Sequence, residues 1–181
     1  MQIKNPSVLK KLIACGKVIH VKEKEILFCQ HCKPEYMAFL INGIMRSFVI
    51  DEKGNDLTEC FDFQKGCAVC PSIPMNAPAS VNIEASVDSA LLVFPIDEIW
   101  ELMNTDVTIS QMYNLALCYS MQKYVEFTRM LIKCDAMQRY KWFLSEYSAL
   151  DGRIKNKDIA SFLNMTPATL CAVKRQFKNR I

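Results

Sequence analysis

The chain has 181 residues, of which 51% are apolar and 23% charged, with a formal net charge of +3. That length supports one large domain or two small ones with a well-buried core, and no segment approaches the roughly 20 apolar residues of a membrane span. The charge is uneven: from Asp135 onward nine basic residues stand against four acidic ones, a net +5 that leaves −2 for residues 1–134, so a polyanion-facing part comes after a different kind of domain.

Near the start, Lys10 and Lys11 precede Leu12-Ile13-Ala14-Cys15, which superficially resembles a lipoprotein cleavage site. A signal peptide needs an apolar stretch of about 7–15 residues, and only three residues separate Lys11 from Cys15. A cytoplasmic protein is expected. Nine cysteines without an export signal are then thiols rather than disulfides.

From Val18 to about Pro95 the sequence runs in short segments rich in Ile, Val and Phe: EILF, MAFLI, IMRSFVI, LTECFDF, VNIEA and ALLVF. These predict an all-β region. The clearest bend is Asp51-Glu52-Lys53-Gly54-Asn55, where Gly54 supplies a positive φ. The apolar run from Met37 to Ile50 is interrupted by Asn42 and Arg46. Gln64 to Ser80, with Pro71, Pro74 and Pro78, reads as a loop.

From about Ile96 the apolar period changes from two to 3.6. Ile109, Met112, Tyr113, Ala116, Leu117, Ser120, Tyr124, Phe127, Met130, Leu131 and Cys134 recur at three- and four-residue steps without Pro or Gly, which predicts one long amphipathic helix. At 1.5 Å per residue it runs on the order of 40 Å, more than a small β domain covers, so part of its stripe is expected to pack on a second copy in a homodimer. Asp135 to Leu150 predicts a further helix, with Tyr140, Phe143, Leu144 and Tyr147 on one face and Asp151-Gly152 at its end.

The stretch KDIASFLNMTPATLCAVKRQ, Lys157 to Gln176, carries a helix-turn-helix pattern. Two short helices crossing closely need small and apolar residues at set offsets, supplied by Ile159, Ala160, Leu163, Met165, Leu170 and Val173. Asn164 tolerates a left-handed backbone at the bend, and Thr166-Pro167 is an N-cap with Pro at the first helical position. A packed helical hairpin without nucleic acid is the plain alternative. Lys174, Arg175, Lys178 and Arg180, with no carboxylate after Asp158, favour DNA, because phosphates are neutralised by such charges.

The order of these parts resembles the Crp/Fnr family of bacterial transcription regulators, relatives of the cyclic-AMP receptor protein, over nearly the whole chain. KEKEILFCQHCKPEYMAFLINGIMRSFVIDEKGNDLTECFDFQKG is similar to the family's β-roll, Val107 to Cys134 to its dimer helix, and DAMQRYKWFLSEYSALDGRIKNKDIASFLNMTPATLCAVKR to its DNA-binding domain. Gly43, Gly54 and Gly66 fall at the family's glycine turns. The resemblance implies an α+β chain: an N-terminal cyclic-nucleotide-binding-like β-roll sensor (1–106), a dimerisation helix (107–134) and a C-terminal helix-turn-helix domain (135–181) with the wing truncated. It also implies double-stranded DNA and RNA polymerase as partners, and a small-molecule effector.

Departures from the family pattern restrict the chemistry. Where cyclic-nucleotide-binding relatives hold the ribose with Gly-Glu and clamp the phosphate with Arg, this chain places Cys70-Pro71 and then Ala79, with Ser80 next. These four mark the effector-pocket position, and no Arg or Lys lies between Lys65 and Lys123. A guanidinium matches phosphate oxygens bidentately, so cyclic AMP and cyclic GMP are not expected to bind. The position either takes an uncharged ligand or is collapsed around Ile73, Met75 and Ile83.

Cys29-Gln30-His31-Cys32 and Cys67-Ala68-Val69-Cys70 each have the two-residue gap of a zinc pair. Their separation is wider than a zinc ribbon's, so unmodified thiols are expected ahead of redox sensing, and redox sensing ahead of a metal. No cofactor is expected. His20 and His31, the only histidines, join no nucleophile–base constellation, so no enzyme is expected.

On the second helix, the family's base-reading positions are occupied by Pro167, Ala168 and Ala172, which cannot read guanine as Arg or Lys does. The remaining candidates are Thr166, Thr169 and Cys171 for bases, with Lys174, Arg175 and Lys178 for phosphates. Only Lys178 to Ile181 come after Phe177, too few for the family's β-hairpin wing. The rival reading is a ligand-binding or protein-interaction module with a degenerate DNA reader.

Overall fold

The computed structural model describes residues 5–179; Arg180 of the basic flank, and the chain end beyond it where the wing is expected to be missing, lie outside the described residues. By compactness the chain divides into two units, Met1–Ser47 with Phe61–Met121, and Phe48–Cys60 with Gln122–Ile181. The division runs through the long helix, whereas the boundaries drawn from sequence lie at the breaks between elements near residues 106 and 134.

The first unit opens with helix α1 (Pro6–Cys15), which is not among the expected elements. Its start signal is local: Asn5 Oδ1 accepts the Ser7 amide at 3.0 Å and Pro6 occupies the first turn, a position that needs no amide proton. Strands β1 (Lys17–Val21), β2 (Ile26–Phe28), β3 (Tyr36–Ile50), β4 (Asp56–Asp62), β5 (Ala68–Val69) and β6 (Asn82–Pro95) come next. They form one six-stranded sheet ordered β1-β6-β3-β4, with β2 also on β6 and β5 on β3. β1 runs antiparallel to β6 in the register Lys17 to Val93 through Val21 to Ser89. The short β5 lies inside the segment expected to be only a loop.

Along β6 the odd-numbered Ile83, Ala85, Ser89, Leu91 and Val93 are buried, as the two-residue period of a strand requires. Gly43 has φ +115 and sits within β3 rather than in a turn; a Cβ there would collide with the Ser89 side chain. The close approach lets Ser89 Oγ accept the Ile44 amide at 3.2 Å. Gly54, by contrast, is a true turn glycine at φ +81. The bend it serves is closed by Asp51, whose Oδ1 accepts the amides of Lys53 and Asn55 at 2.9 and 2.8 Å.

Arg46, which breaks the apolar run of β3, is buried against Glu84 of β6. Its Nε and Nη2 each lie 2.9 Å from Glu84 Oε1, and the two side chains are 3% and 14% exposed. Helix α2 (Ile96–Thr105) turns Ile96, Ile99 and Leu102 onto a core shared with Val8, Met75, Phe94 and Ile109. Asp106 separates it from helix α3 (Val107–Lys133), accepting the Thr108 amide at 2.8 Å.

The second unit holds the end of α3, helix α4 (Ala136–Glu146), a 3-10 turn at Ser148–Leu150, α5 (Asn156–Phe162) and α6 (Pro167–Lys178). Helix α4 therefore stops before Leu150, the end expected for it. Its start is a capping box: Asp135 Oδ1 accepts the Gln138 amide and Gln138 Oε1 accepts the Asp135 amide, both at 2.9 Å. The core of the unit is largely aromatic. Phe162 stacks on Phe127 with centroids 4.6 Å apart and meets Tyr147 edge-on at 5.2 Å, while Phe143, Leu150, Ile159, Ala160, Leu163 and Leu170 are fully buried. Among the described residues no helix is long and apolar enough to cross a membrane.

Candidate functional site

Helices α5 and α6 are joined by a tight turn in which Asn164 takes the left-handed conformation expected of it, φ 50. The Met165 amide donates to Ala160 O and the Asn164 amide to Ser161 O, both at 2.9 Å, so the left-handed Asn164 closes the end of α5. Thr166 caps α6: its Oγ1 accepts the Thr169 amide at 3.1 Å and lies 2.8 Å from Thr169 Oγ1. Both hydroxyls proposed from sequence as base contacts are thereby engaged with one another at the start of the helix.

The basic residues divide into two groups. Arg139 donates to four carbonyls, those of Leu131, Cys134, Leu163 and Asn164, at 2.8–3.1 Å; it satisfies orphan acceptors at helix ends. Lys157 pairs with Asp56 at 3.1 Å. Lys174 Nζ lies 2.8 Å from both Asp151 Oδ1 and Asn156 Oδ1, and 5.7 Å from the centre of the Tyr140 ring. These three cations tie the fold together, and a phosphate at Lys174 would compete with a carboxylate already there.

Lys141, Arg153, Lys155, Arg175 and Lys178 are exposed and make no ion pair among the described residues. Along α6 the outward side chains are Pro167, Ala168, Cys171, Arg175, Gln176, Lys178 and Asn179, with Ala172 half-buried. Leu170 and Val173 face the core. The exposed amides of Gln176 and Asn179 are not marked out by sequence, where amphipathic spacing alone does not rank polar positions.

On the sensor side, the loop that carries the four pocket positions closes upon itself. Pro71 and Ala79 are buried, while Cys70 and Ser80 are exposed. The Ser80 amide and hydroxyl both donate to Pro71 O, at 2.8 and 3.0 Å. Ser72 Oγ donates to Ala77 O at 2.9 Å, and the Ala79 amide donates to Cys32 O at 2.8 Å. Met75 and Ile83 are buried as a collapsed position requires, but Ile73 is 71% exposed and takes no part in that packing. Tyr113 of α3 packs against the cluster that contains Met75.

Three acidic groups gather next to this loop, and one of them, Asp62, is not a candidate from sequence. Burial pushes its carboxyl up to about 7. Burial, with the nearby Asp62 carboxyl second, pushes the Cys67 thiol up to about 12 and the Cys70 thiol up to about 11. Both thiols are therefore protonated near neutrality, and a protonated thiol is a poor nucleophile and metal ligand. Among the described residues no group of three or more His, Cys, Asp or Glu side chains is placed to hold a metal.

Residues 18–106 match the cyclic nucleotide-binding domain family. No curated protein matches the chain. Among solved structures, FixK2 from Bradyrhizobium japonicum aligns with a TM-score of 0.82 at 15% identity, over 91% of this chain and 85% of that one. A candidate transcriptional regulator of the Crp/Fnr family from Eubacterium rectale aligns with a TM-score of 0.77 at 17% identity, over 97% and 84%. A substituted CooA from Carboxydothermus hydrogenoformans aligns with a TM-score of 0.72 at 17% identity, over 99% and 82%. At these identities the likeness is one of fold: an α+β chain of the Crp/Fnr architecture.

Proposed function

We propose that this protein is a homodimeric, DNA-binding transcription regulator of the Crp/Fnr type that acts without a catalytic step and responds to an effector other than cyclic AMP. In this reading residues 1–106 sense, residues 107–134 pair two copies, and residues 135–181 bind double-stranded DNA. The observation that carries it is the capped helix α6, with Arg175 and Lys178 exposed on it, in a fold shared over 97% of the chain with a candidate regulator of that family. RNA polymerase is a further expected partner.

Support for the effector's class comes from the loop around Cys70, Pro71, Ala79 and Ser80. Its polar groups bond to one another, and the ionisable groups beside it are acids whose uncharged forms are favoured there. A cyclic phosphate at this loop would lack the guanidinium that matches its oxygens, since no Arg or Lys lies between Lys65 and Lys123. An uncharged ligand, or none, fits this loop. The suppressed thiolates of Cys67 and Cys70 weigh against their serving as the thiol switch.

Support for pairing comes from α3. Beside the stripe turned to its own chain, Leu115, Tyr119, Tyr124 and Ile132 are exposed at 57–77%, more apolar surface than a lone helix leaves to water. Signal would then pass by population shift: the state of the sensor favours one packing of the paired helices and so one spacing of the two DNA-reading helices.

The second reading, an interaction module with a degenerate reader, is favoured by Ala168 and Ala172 at base-facing positions. Selection from a random duplex library under reducing conditions, and then binding across a salt series, separates the two. A two-fold symmetric motif with half-sites about one helical turn apart is the expected result. Absence of binding at all salt concentrations would favour the interaction module.

A further inference from the structure

The outward face of α6 is mostly made of short side chains. Ala168, Cys171, Ala172 and Arg175 stand at steps of 0, 3, 4 and 7, and all but the half-buried Ala172 are exposed. That spacing places four residues on one helix face, and it is the spacing by which a helix lying in a major groove presents side chains to base edges. The first three cannot reach far. Methyl and thiol groups let the helix axis approach the groove floor, which brings the next long side chain on the same face closer to the bases than to the phosphates.

That next side chain is Arg175. Its side chain has no polar partner among the described residues, like that of Lys178 a turn further on, whereas Lys174 is committed to Asp151 and Asn156, and Thr166 and Thr169 to each other. Gln176 points about 100° further round the helix, and Asn179 is the C-cap, a turn beyond. Between Ala168 and Arg175 the helix rises about 10 Å, roughly three base-pair steps at 3.4 Å each. The two ends of this face therefore address different base pairs.

We propose, on the footing of the DNA-binding reading above, that Arg175 is the specificity-determining residue of this protein, reading a single guanine in each half-site through its O6 and N7. Ala168 and Ala172 contact thymine methyls on the preceding pairs, and Lys178 contacts a phosphate. The chemistry is that of the planar guanidinium fork, which matches the two acceptors of guanine in the major groove. Each half-site then carries one strongly specified G·C pair next to a weakly specified stretch.

The test uses the full chain as wild type, Arg175→Ala, Arg175→Lys and Lys178→Ala. Each is passed through the random-duplex selection, and its affinity is then measured for the selected site and for that site with its preferred G·C pair replaced by A·T. Wild type should prefer the G·C site by about 5- to 150-fold. Arg175→Ala should lose that preference while its salt dependence stays that of wild type. Arg175→Lys should retain part of the preference, and Lys178→Ala should weaken all sequences alike with a shallower salt slope.

Arg175→Ala weakening every sequence equally, with a shallower salt slope, would make it a phosphate contact and overturn the proposal. So would a G·C preference unchanged in Arg175→Ala. Salt-sensitive binding by wild type without an enriched motif would overturn this proposal and leave the DNA-binding reading standing. No binding by wild type would overturn both.

Discussion

The amide of Thr58, at the end of the β3–β4 hairpin, donates to Ser161 Oγ of α5 at 2.9 Å, joining residues 103 apart in sequence. Ser161 Oγ in turn lies 3.4 Å from Asp56 O, and Lys157 pairs with the Asp56 carboxylate at 3.1 Å. The first helix of the helix-turn-helix thus shares polar contacts with a hairpin tip inside one compact unit. Thr58 is buried, so this acceptor matters to it. Ser161→Ala should lower the stability of the unit by about 1–2 kcal/mol, the cost of depriving a buried donor of its partner; denaturant unfolding monitored by Trp142 fluorescence measures it. A midpoint equal to that of wild type would show that water replaces the contact.

The Arg46–Glu84 pair should be far more sensitive. Removing Glu84 takes a carboxylate partner at 2.9 Å away from a guanidinium that is 3% exposed, a loss of up to about 3–5 kcal/mol. Glu84→Gln is expected to fall near or below that range and Glu84→Ala within it. Replacing both residues at once with apolar side chains of similar size should recover most of the loss. Chemical denaturation of the three variants tests this, and equal losses in the single and double variants would contradict it.

The raised pKa of Asp62 makes a pH prediction with a definite sign. A carboxyl whose pKa goes from 3.8 to about 7 on folding holds its proton more tightly when folded. Its contribution to stability is complete below the unfolded value and is lost as pH rises through the folded one. Relative to Asp62→Asn, the wild-type protein should therefore lose thermal stability steadily from about pH 4 to pH 7. Parallel melting curves for the two proteins across that window would refute the buried, protonated carboxyl.

The exposed apolar side chains of α3 predict an oligomeric state. Sedimentation at tens of micromolar should show twice the chain mass of 20.8 kDa. Leu115→Glu combined with Ile132→Glu should give a monomer with unchanged helix content by circular dichroism, since both side chains are exposed at 59% and 77%. A wild-type monomer at that concentration would remove the dimer from the proposed function.

Local chemistry accounts for much of this molecule. The left-handed Asn164, the Thr166 cap, Pro167 at the first position of α6, the Gly54 bend and the 3.6-residue period of α3 arise from properties of one residue or one turn, so each is legible in the sequence. The same kind of signal stands at α1 and α4, where Asn5-Pro6 and the Asp135–Gln138 capping box are explicit start marks; α1 is short enough that its pattern alone does not announce it. Features that depend on residues far apart are not legible. Arg46 reads as a break in an apolar run until Glu84, 38 positions away, is seen beside it. Gly43 reads as a turn until Ser89 fills the space of its missing Cβ. Lys174 reads as a phosphate contact until Asp151 and Asn156 enclose its ammonium, and Asp62 reads as an ordinary strand carboxylate until the fold removes it from water. The order of residues alone points to most of the helices, strands and turns, because those preferences are local. Which charges are free to meet a partner is settled only once the chain has folded, because pairing and burial are properties of distance in space.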